Sequence, residues 1–128
     1  MRLLVLDESR VLSWVVEHLS PPGVEVEFVE SFEEAKRRVS ERPPDAAVVS
    51  LTPAHLPWKT FQHLCASSVP PVPVLYESCV HKSPSDAGLG PLEGYAEFVP
   101  KPTPRGDLQA AIQRLIEASR RMGRGPSL

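Results

Sequence analysis

The sequence predicts an α/β protein in which helices cover both faces of a central parallel β-sheet. Short apolar runs alternate with segments whose apolar residues recur at helical spacing. Prolines cluster between these segments and separate them from one another. The 128 residues suit one domain, which we predict over residues 1–122, followed by a flexible tail or linker start over residues 123–128.

The composition is that of an ordinary globular protein, with 41% hydrophobic and 23% charged residues. The net charge of −2 gives no basic surface for nucleic acid and does not favour a membrane surface. No apolar stretch reaches the length of a membrane span. Two cysteines are too few for a disulfide framework. We therefore expect a cytoplasmic protein without a nucleic-acid or membrane partner.

Five segments are predicted to be β-strands. The first and third are continuous apolar runs, which is typical of strands buried on both faces. The second alternates apolar and acidic residues, which indicates one face in water and a place at the sheet edge. The predicted strands are residues 3–6, 24–29, 46–51, 72–76 and 97–99.

Helical periodicity appears between these strands and after the last one. Ser31 and Glu34 are placed as a capping box in front of the second helix, which is predicted to run to about Arg42. The other predicted helices cover residues 10–19, 58–67 and about 106–122. Residues 79–94 contain several glycines and prolines and little helical period, so we expect a loop or a broken helix there.

Strands that alternate with helices imply parallel βαβ units with right-handed crossovers. The expected architecture is a flavodoxin-like (βα)5 three-layer sandwich whose five-stranded parallel sheet has the order 2-1-3-4-5. Chemistry in such sheets lies beyond the carboxyl ends of the strands. The polar residues at these ends are Asp7, Glu8, Ser50, Ser78 and Lys101.

Four sequence pieces around these strand ends resemble the receiver domains of bacterial two-component response regulators. The resemblance covers residues 2 to about 120 and consists, in order, of LLVLDES, PDAAVVSL, PPVPVLYES and YAEFVPKP. Each piece alone is weak, but four in order at suitable separations are specific for the fold. The resemblance implies a signalling domain of a phosphorelay.

The resemblance also implies roles for individual residues. Asp7 and Glu8 correspond to the acidic pair that holds Mg²⁺, and Lys101 corresponds to the lysine that offsets phosphoryl charge. Ser78 corresponds to the hydroxyl that binds the aspartyl phosphate. Phe98 corresponds to the aromatic residue that changes its packing. Here we expect Lys101 to form an ion pair with the acidic pair, followed by a cis peptide bond before Pro102.

The phosphoacceptor position of the family is occupied by Ser50. A serine hydroxyl is a poor nucleophile unless a base activates it, and the replacement removes one anionic metal ligand. Asp45 lies at the opposite end of the third strand, and alternation directs Glu77 away from Ser78. The sequence therefore indicates a degenerate receiver, or pseudo-receiver, that is not an enzyme and needs no cofactor, with at most weak Mg²⁺ binding at Asp7 and Glu8.

Such a domain is expected to act by binding a protein partner, either a signalling protein or a histidine kinase-like protein. Trp14 lies off the inward face of the first helix and is the predicted anchor. A second predicted surface combines the region over residues 79–94 with the last strand and last helix, and homodimerisation through it is an alternative. The domain is either a stand-alone adaptor or part of a longer protein.

Two other functions remain open at this stage. One is a small-molecule sensor, with a ligand in a vacated pocket near Ser50, Trp58 and Ser78. Trp58 is predicted to lie in the loop after the third strand and to cover or fill that pocket. The other is a residual Mg²⁺-dependent phosphoacceptor that uses another side chain.

Overall fold

The computed structural model describes residues 1–51, 56–78, 83–89, 94–100 and 104–123. One parallel sheet has the order β2-β1-β3-β4-β5, with strands β1 Arg2–Leu6, β2 Glu25–Val29, β3 Ala46–Ser50, β4 Val74–Ser78 and β5 Ala96–Pro100. The described residues form four helices, α1 Val11–Leu19, α2 Phe32–Glu41, α3 Trp58–Ser67 and α4 Arg105–Arg121. The predicted α/β class, the parallel sheet and its strand order are confirmed.

The helices divide the core into two clusters, one on each face of the sheet. On the α1/α4 face, the strands contribute mainly Leu3, Val5, Ala46, Val48 and Leu75. On the α2/α3 face, they contribute mainly Leu4, Leu6, Ala47, Val49, Val74 and Tyr76. The three central strands thus bury side chains on both faces, as their apolar runs predict.

Strand β4 differs from the sequence prediction by two residues. The predicted strand begins at residue 72, whereas β4 begins at Val74, directly after Pro73. Proline has no N–H group to donate within a sheet, which explains the later start. The strand continues through Glu77 and Ser78, and all five of its residues are buried. These two polar residues therefore belong to the sheet and not to the loop that follows it.

Turns at residues 83–89 stand between β4 and β5, where a regular (βα)5 fold has a helix. Gly88 has a φ of +78°, which a continuing α-helix does not allow. Ala87 and Leu89 are nevertheless buried in the cluster on the α2/α3 face. The turns thus cover part of the sheet, and over residues 83–89 they agree with the expected loop or broken helix, whereas residues 79–82 and 90–93 of that prediction lie outside the described residues.

The edge strand β2 is held by ion pairs on one side. Glu27 accepts hydrogen bonds from Arg2 Nε at 2.5 Å and from Arg38 Nη1 at 2.8 Å. The hydrogen bond from Arg2 is the main reason why the pKa of Glu27 lies below its ordinary value. The ionised carboxylate therefore ties β2 to β1 and to α2.

Replacing Glu27 by glutamine is expected to lower the free energy of unfolding by up to about 1 kcal/mol at neutral pH. A carboxyl whose pKa is lowered by folding stabilises the protein above its ordinary pKa of 4.5 and loses that effect as the pH falls through the folded pKa. The difference between wild type and E27Q, measured by urea unfolding, should therefore shrink in acid. The exposed Glu25→Gln serves as control. A difference that stays constant down to strongly acidic pH would contradict the ion-pair explanation.

Candidate functional site

The carboxyl ends of β1, β3 and β4 bring Asp7, Ser50 and Glu77 side by side. Ser50 pairs with Glu77 in the parallel register of β3 and β4. Leu6 pairs with Val49 in the register of β1 and β3, so Asp7 is the next position beside Ser50. A serine hydroxyl therefore lies between two acidic positions on neighbouring strands.

Strand alternation places these three side chains on the same face of the sheet. The residues two positions earlier, Val5, Val48 and Leu75, all belong to the cluster on the α1/α4 face. Because side chains alternate along a strand, Asp7, Ser50 and Glu77 point to that face as well. Ser50 is 6% exposed and Glu77 is 4% exposed. The predicted acceptor position is thus buried beside a carboxyl group that the sequence analysis did not connect with it.

Asp7 and Glu8 occupy the predicted positions but play different local roles. The Asp7 amide donates a hydrogen bond to the Val29 carbonyl at 3.2 Å. Asp7 Oδ1 accepts a hydrogen bond from the Glu8 amide at 2.7 Å. Glu8 itself is exposed. The acidic pair therefore shapes the turn between β1 and α1.

Among the described residues, the acidic side chains at the strand ends are not grouped as a cation site. Within the part of the chain that the structure describes, no group of three or more histidine, cysteine, aspartate or glutamate side chains is arranged to hold a metal ion. Mg²⁺ prefers several oxygen ligands in near-octahedral geometry. The donor set around Ser50 therefore fits that ion poorly, and metal binding by Asp7 and Glu8 stays a prediction.

Asp45 lies at the other end of β3, as the sequence indicates. Its Oδ2 accepts a hydrogen bond from the Arg2 amide at 2.7 Å. Its backbone carbonyl accepts a hydrogen bond from Ser119 Oγ at 2.7 Å. These contacts join the amino end of β3 to β1 and α4, so Asp45 is structural and does not replace the carboxylate at position 50.

Ser78 and Phe98 belong to the opposite side of the sheet. Ser78 is 1% exposed and shares the orientation of Tyr76, which lies in the cluster on the α2/α3 face. Phe98 pairs with Tyr76 in the register of β4 and β5 and is partly buried against the same cluster. The aromatic residue of the predicted switch therefore packs as part of the core.

Trp58 is the first residue of α3, as the helix predicted over residues 58–67 implies, and it does not lie in the loop that precedes the helix. The side chain is 3% exposed, and its ring meets Phe32 edge-on at a centroid distance of 5.2 Å. Its Nε1 is buried without a hydrogen-bond partner in the described structure. The Trp58 indole is therefore packed against α2 as part of the cluster on the α2/α3 face.

A buried polar pair beside Trp58 escaped the sequence analysis. The Tyr76 hydroxyl donates a hydrogen bond to Gln62 Oε1 at 2.5 Å. Burial raises the pKa of the Tyr76 phenol well above its usual range. Gln62 lies four residues after Trp58 on α3, so helical spacing was the signal that places both on the inward side.

The proposed ligand pocket near Ser50, Trp58 and Ser78 is not formed as an open cavity by these residues. Each of the three is less than 7% exposed. Alternation also assigns Ser50 to the α1/α4 face, whereas Trp58 and Ser78 belong to the α2/α3 face. An open surface groove of about 480 Å³ does occur elsewhere, and it is lined by α2 and by Leu64 of α3.

The first helix presents the apolar surface that the sequence predicts. Trp14 is 59% exposed and Val11 is 58% exposed. They are three residues apart on α1 and therefore lie on the same side of the helix. The buried residues of α1 are Leu12, Ser13, Val16 and Leu19. We call the exposed pair Val11 and Trp14 the α1 patch.

Some predicted site residues lie outside the described residues. These are Lys101, with its expected ion pair, and Pro102, with its expected cis peptide bond. The described structure does contain a cis peptide bond between Val69 and Pro70. The site can therefore be described at β1, β3 and β4 but not after the end of β5.

Solved receiver domains match the chain over nearly its whole length. A response regulator receiver protein from Sinorhizobium medicae is 21% identical, with a TM-score of 0.73, and the match covers 93% of this chain and 96% of that one. An orphan response regulator of H. pylori is 22% identical, with a TM-score of 0.69, and the match covers 91% of this chain and 96% of that one. The response regulator domain of Thermotoga maritima CheB is 23% identical, with a TM-score of 0.64, over 98% of each. The chain has the receiver-domain fold.

No protein-family model and no curated protein matches the sequence. The likeness to receiver domains therefore lies in the fold, and the residues at the strand ends have to carry any functional argument. In the described residues, no helix is long and apolar enough to cross a membrane.

Proposed function

We propose that this chain is a receiver-like signalling domain of the two-component type that works without phosphorylation and acts by binding a protein partner. The observation that carries the proposal is Ser50, which stands at the end of β3 with 6% of its surface exposed. By its resemblance to receivers, this is the position of the phosphoacceptor aspartate.

The chemistry at this position supports a loss of phosphoryl transfer. Acceptance of a phosphoryl group needs an ionised nucleophile and a cation to offset the charge on the phosphoryl oxygens. Ser50 supplies a neutral hydroxyl, and the neighbouring Asp7 and Glu77 add negative charge without completing a metal site. The proposal thus includes a domain that is not an enzyme and that requires no bound cofactor.

The α1 patch supports the partner-binding part of the proposal. The Trp14 indole is 59% exposed and therefore available for a contact, and tryptophan is among the residues that anchor protein interfaces. Arg10, at the start of the same helix, stacks over Phe28 at 4.9 Å and fixes the surface beside the patch. The partner is a signalling protein or a histidine kinase-like protein. The surface around β5 and α4 is a second contact face, through which the domain could also form a homodimer.

Incubation with Mg²⁺ and acetyl phosphate or phosphoramidate is expected to leave the intact mass unchanged, because no suitable nucleophile is present at the acceptor position. Mass spectrometry of wild type and Ser50→Ala, under conditions that fully label an ordinary receiver, measures this. A stoichiometric, acid-labile adduct on the wild type would show that a carboxylate accepts phosphate, and the domain would then be a working switch.

A further inference from the structure

We infer that Glu77 supplies the carboxyl group of the strand-end site in place of the residue at position 50. Carboxylates at positions 50 and 77 are therefore incompatible with each other. The inference deepens the proposed function, on which it rests for the meaning of position 50. It assigns a role to a residue that the family resemblance leaves without one.

Ser50 and Glu77 come close together because β3 and β4 pair in register. Ser50 and Glu77 are paired positions of β3 and β4, and the Leu51 amide donates a hydrogen bond to the Glu77 carbonyl at 2.8 Å. Neighbouring strands lie about 4.8 Å apart. Paired side chains on the same face of the sheet are therefore in reach of each other.

The carboxyl group of Glu77 belongs to a buried residue. Glu77 is 4% exposed, whereas glutamate is almost never fully buried unless it is paired. Leu75, the earlier residue of β4 that faces α1 and α4, is apolar. A carboxyl group at this point of the strand is therefore a costly choice for packing alone. Its position beside Ser50 gives it a function, which is to supply the acidic group that β3 lacks.

A carboxylate at position 50 would be repelled by its acidic neighbours. Two carboxylates that share a buried site repel each other strongly, and one of them is driven to take up a proton. An aspartate at position 50 would stand between Asp7 on one side and Glu77 on the other. Restoring the acceptor by one substitution should therefore create a clash of charges and not a receiver site. Positions 50 and 77, which are paired on adjacent strands, are therefore coupled.

A double-mutant cycle on stability tests the inference without any phosphodonor. The variants are S50D and its neutral isostere S50N, each in the wild-type and in the Glu77→Gln background, with unfolding by urea at neutral pH. The equilibrium constant for unfolding should be about tenfold higher for S50D than for S50N when Glu77 is present, and this ratio should be clearly smaller in the E77Q background, where Asp7 is the remaining acidic neighbour of position 50. The exposed Ser40, changed to aspartate or asparagine, is the control position at which E77Q should have no effect.

Equal stability of S50D and S50N in the wild-type background would overturn the inference, and that comparison holds even if E77Q does not fold. An S50D penalty that is the same with and without E77Q would overturn it as well, because the penalty would then come from burial and from Asp7, without a contribution from Glu77. The phosphodonor experiment on the wild type fails or succeeds independently of these results, so the two proposals can be separated.

Discussion

Replacing Phe61 by alanine is expected to lower the free energy of unfolding by about 3–5 kcal/mol, the largest stability effect among the substitutions considered. The Phe61 side chain is fully buried in the cluster on the α2/α3 face. It lies 6.1 Å from the Phe32 ring, measured between centroids, and thus joins α3 to α2. The truncation removes the aromatic contacts and leaves a cavity that the surrounding elements fill only in part.

Urea or thermal unfolding of the purified variant measures the loss, and Trp14→Ala is the control. Both changes delete an aromatic side chain from a helix, but Trp14 is 59% exposed and its removal should change stability by less than about 0.5 kcal/mol. A loss below about 1 kcal/mol for Phe61→Ala would mean that α3 is not packed on the sheet as described.

Trp14→Ala is expected to weaken binding of the protein partner by about 2 kcal/mol or more, close to thirtyfold in the dissociation constant. Exposed tryptophans at interfaces bury a large area on binding, and truncation removes that area without disturbing the fold. The partner is first captured from cell extract and identified, and titration calorimetry then compares wild type with the variant. Val11→Ala, in the same patch, should give a smaller loss of the same kind.

Val69→Ala provides a matched surface control, because Val69 is 95% exposed and lies outside α1. It should leave the dissociation constant unchanged. Equal affinities of wild type and Trp14→Ala would remove α1 as the contact surface. If binding is instead lost when exposed residues of α4 are substituted, the interface lies on the side of β5 and α4.

The layers of the fold could be predicted because each element has a simple apolar pattern. The helix over residues 58–67 coincides with α3, and the strand predicted over residues 46–51 agrees with β3 to within one residue. Ser31 also caps α2 as expected, since its Oγ accepts a hydrogen bond from the Glu34 amide at 3.1 Å. The Glu34 carboxylate, however, is hydrogen-bonded to Arg37 and Arg38.

The candidate site was predicted less completely because it depends on register and not on pattern. A serine at the end of an apolar run is visible in the sequence, and so is its likeness to an acceptor position. The end of β4 is not visible, because Glu77 and Ser78 read as the start of a loop once the apolar run has stopped. Only the pairing of β3 with β4 shows that Glu77 is buried beside Ser50.

The two edges of the sheet bear on how copies of this protein meet at high concentration. Strand β2 carries Glu25 and Glu27, and strand β5 ends in Pro100, which has no N–H group to offer. Charges and prolines at sheet edges discourage the addition of a foreign strand, which is the first step of fibril growth. Contacts between copies are thus directed away from the sheet edges and towards the helices.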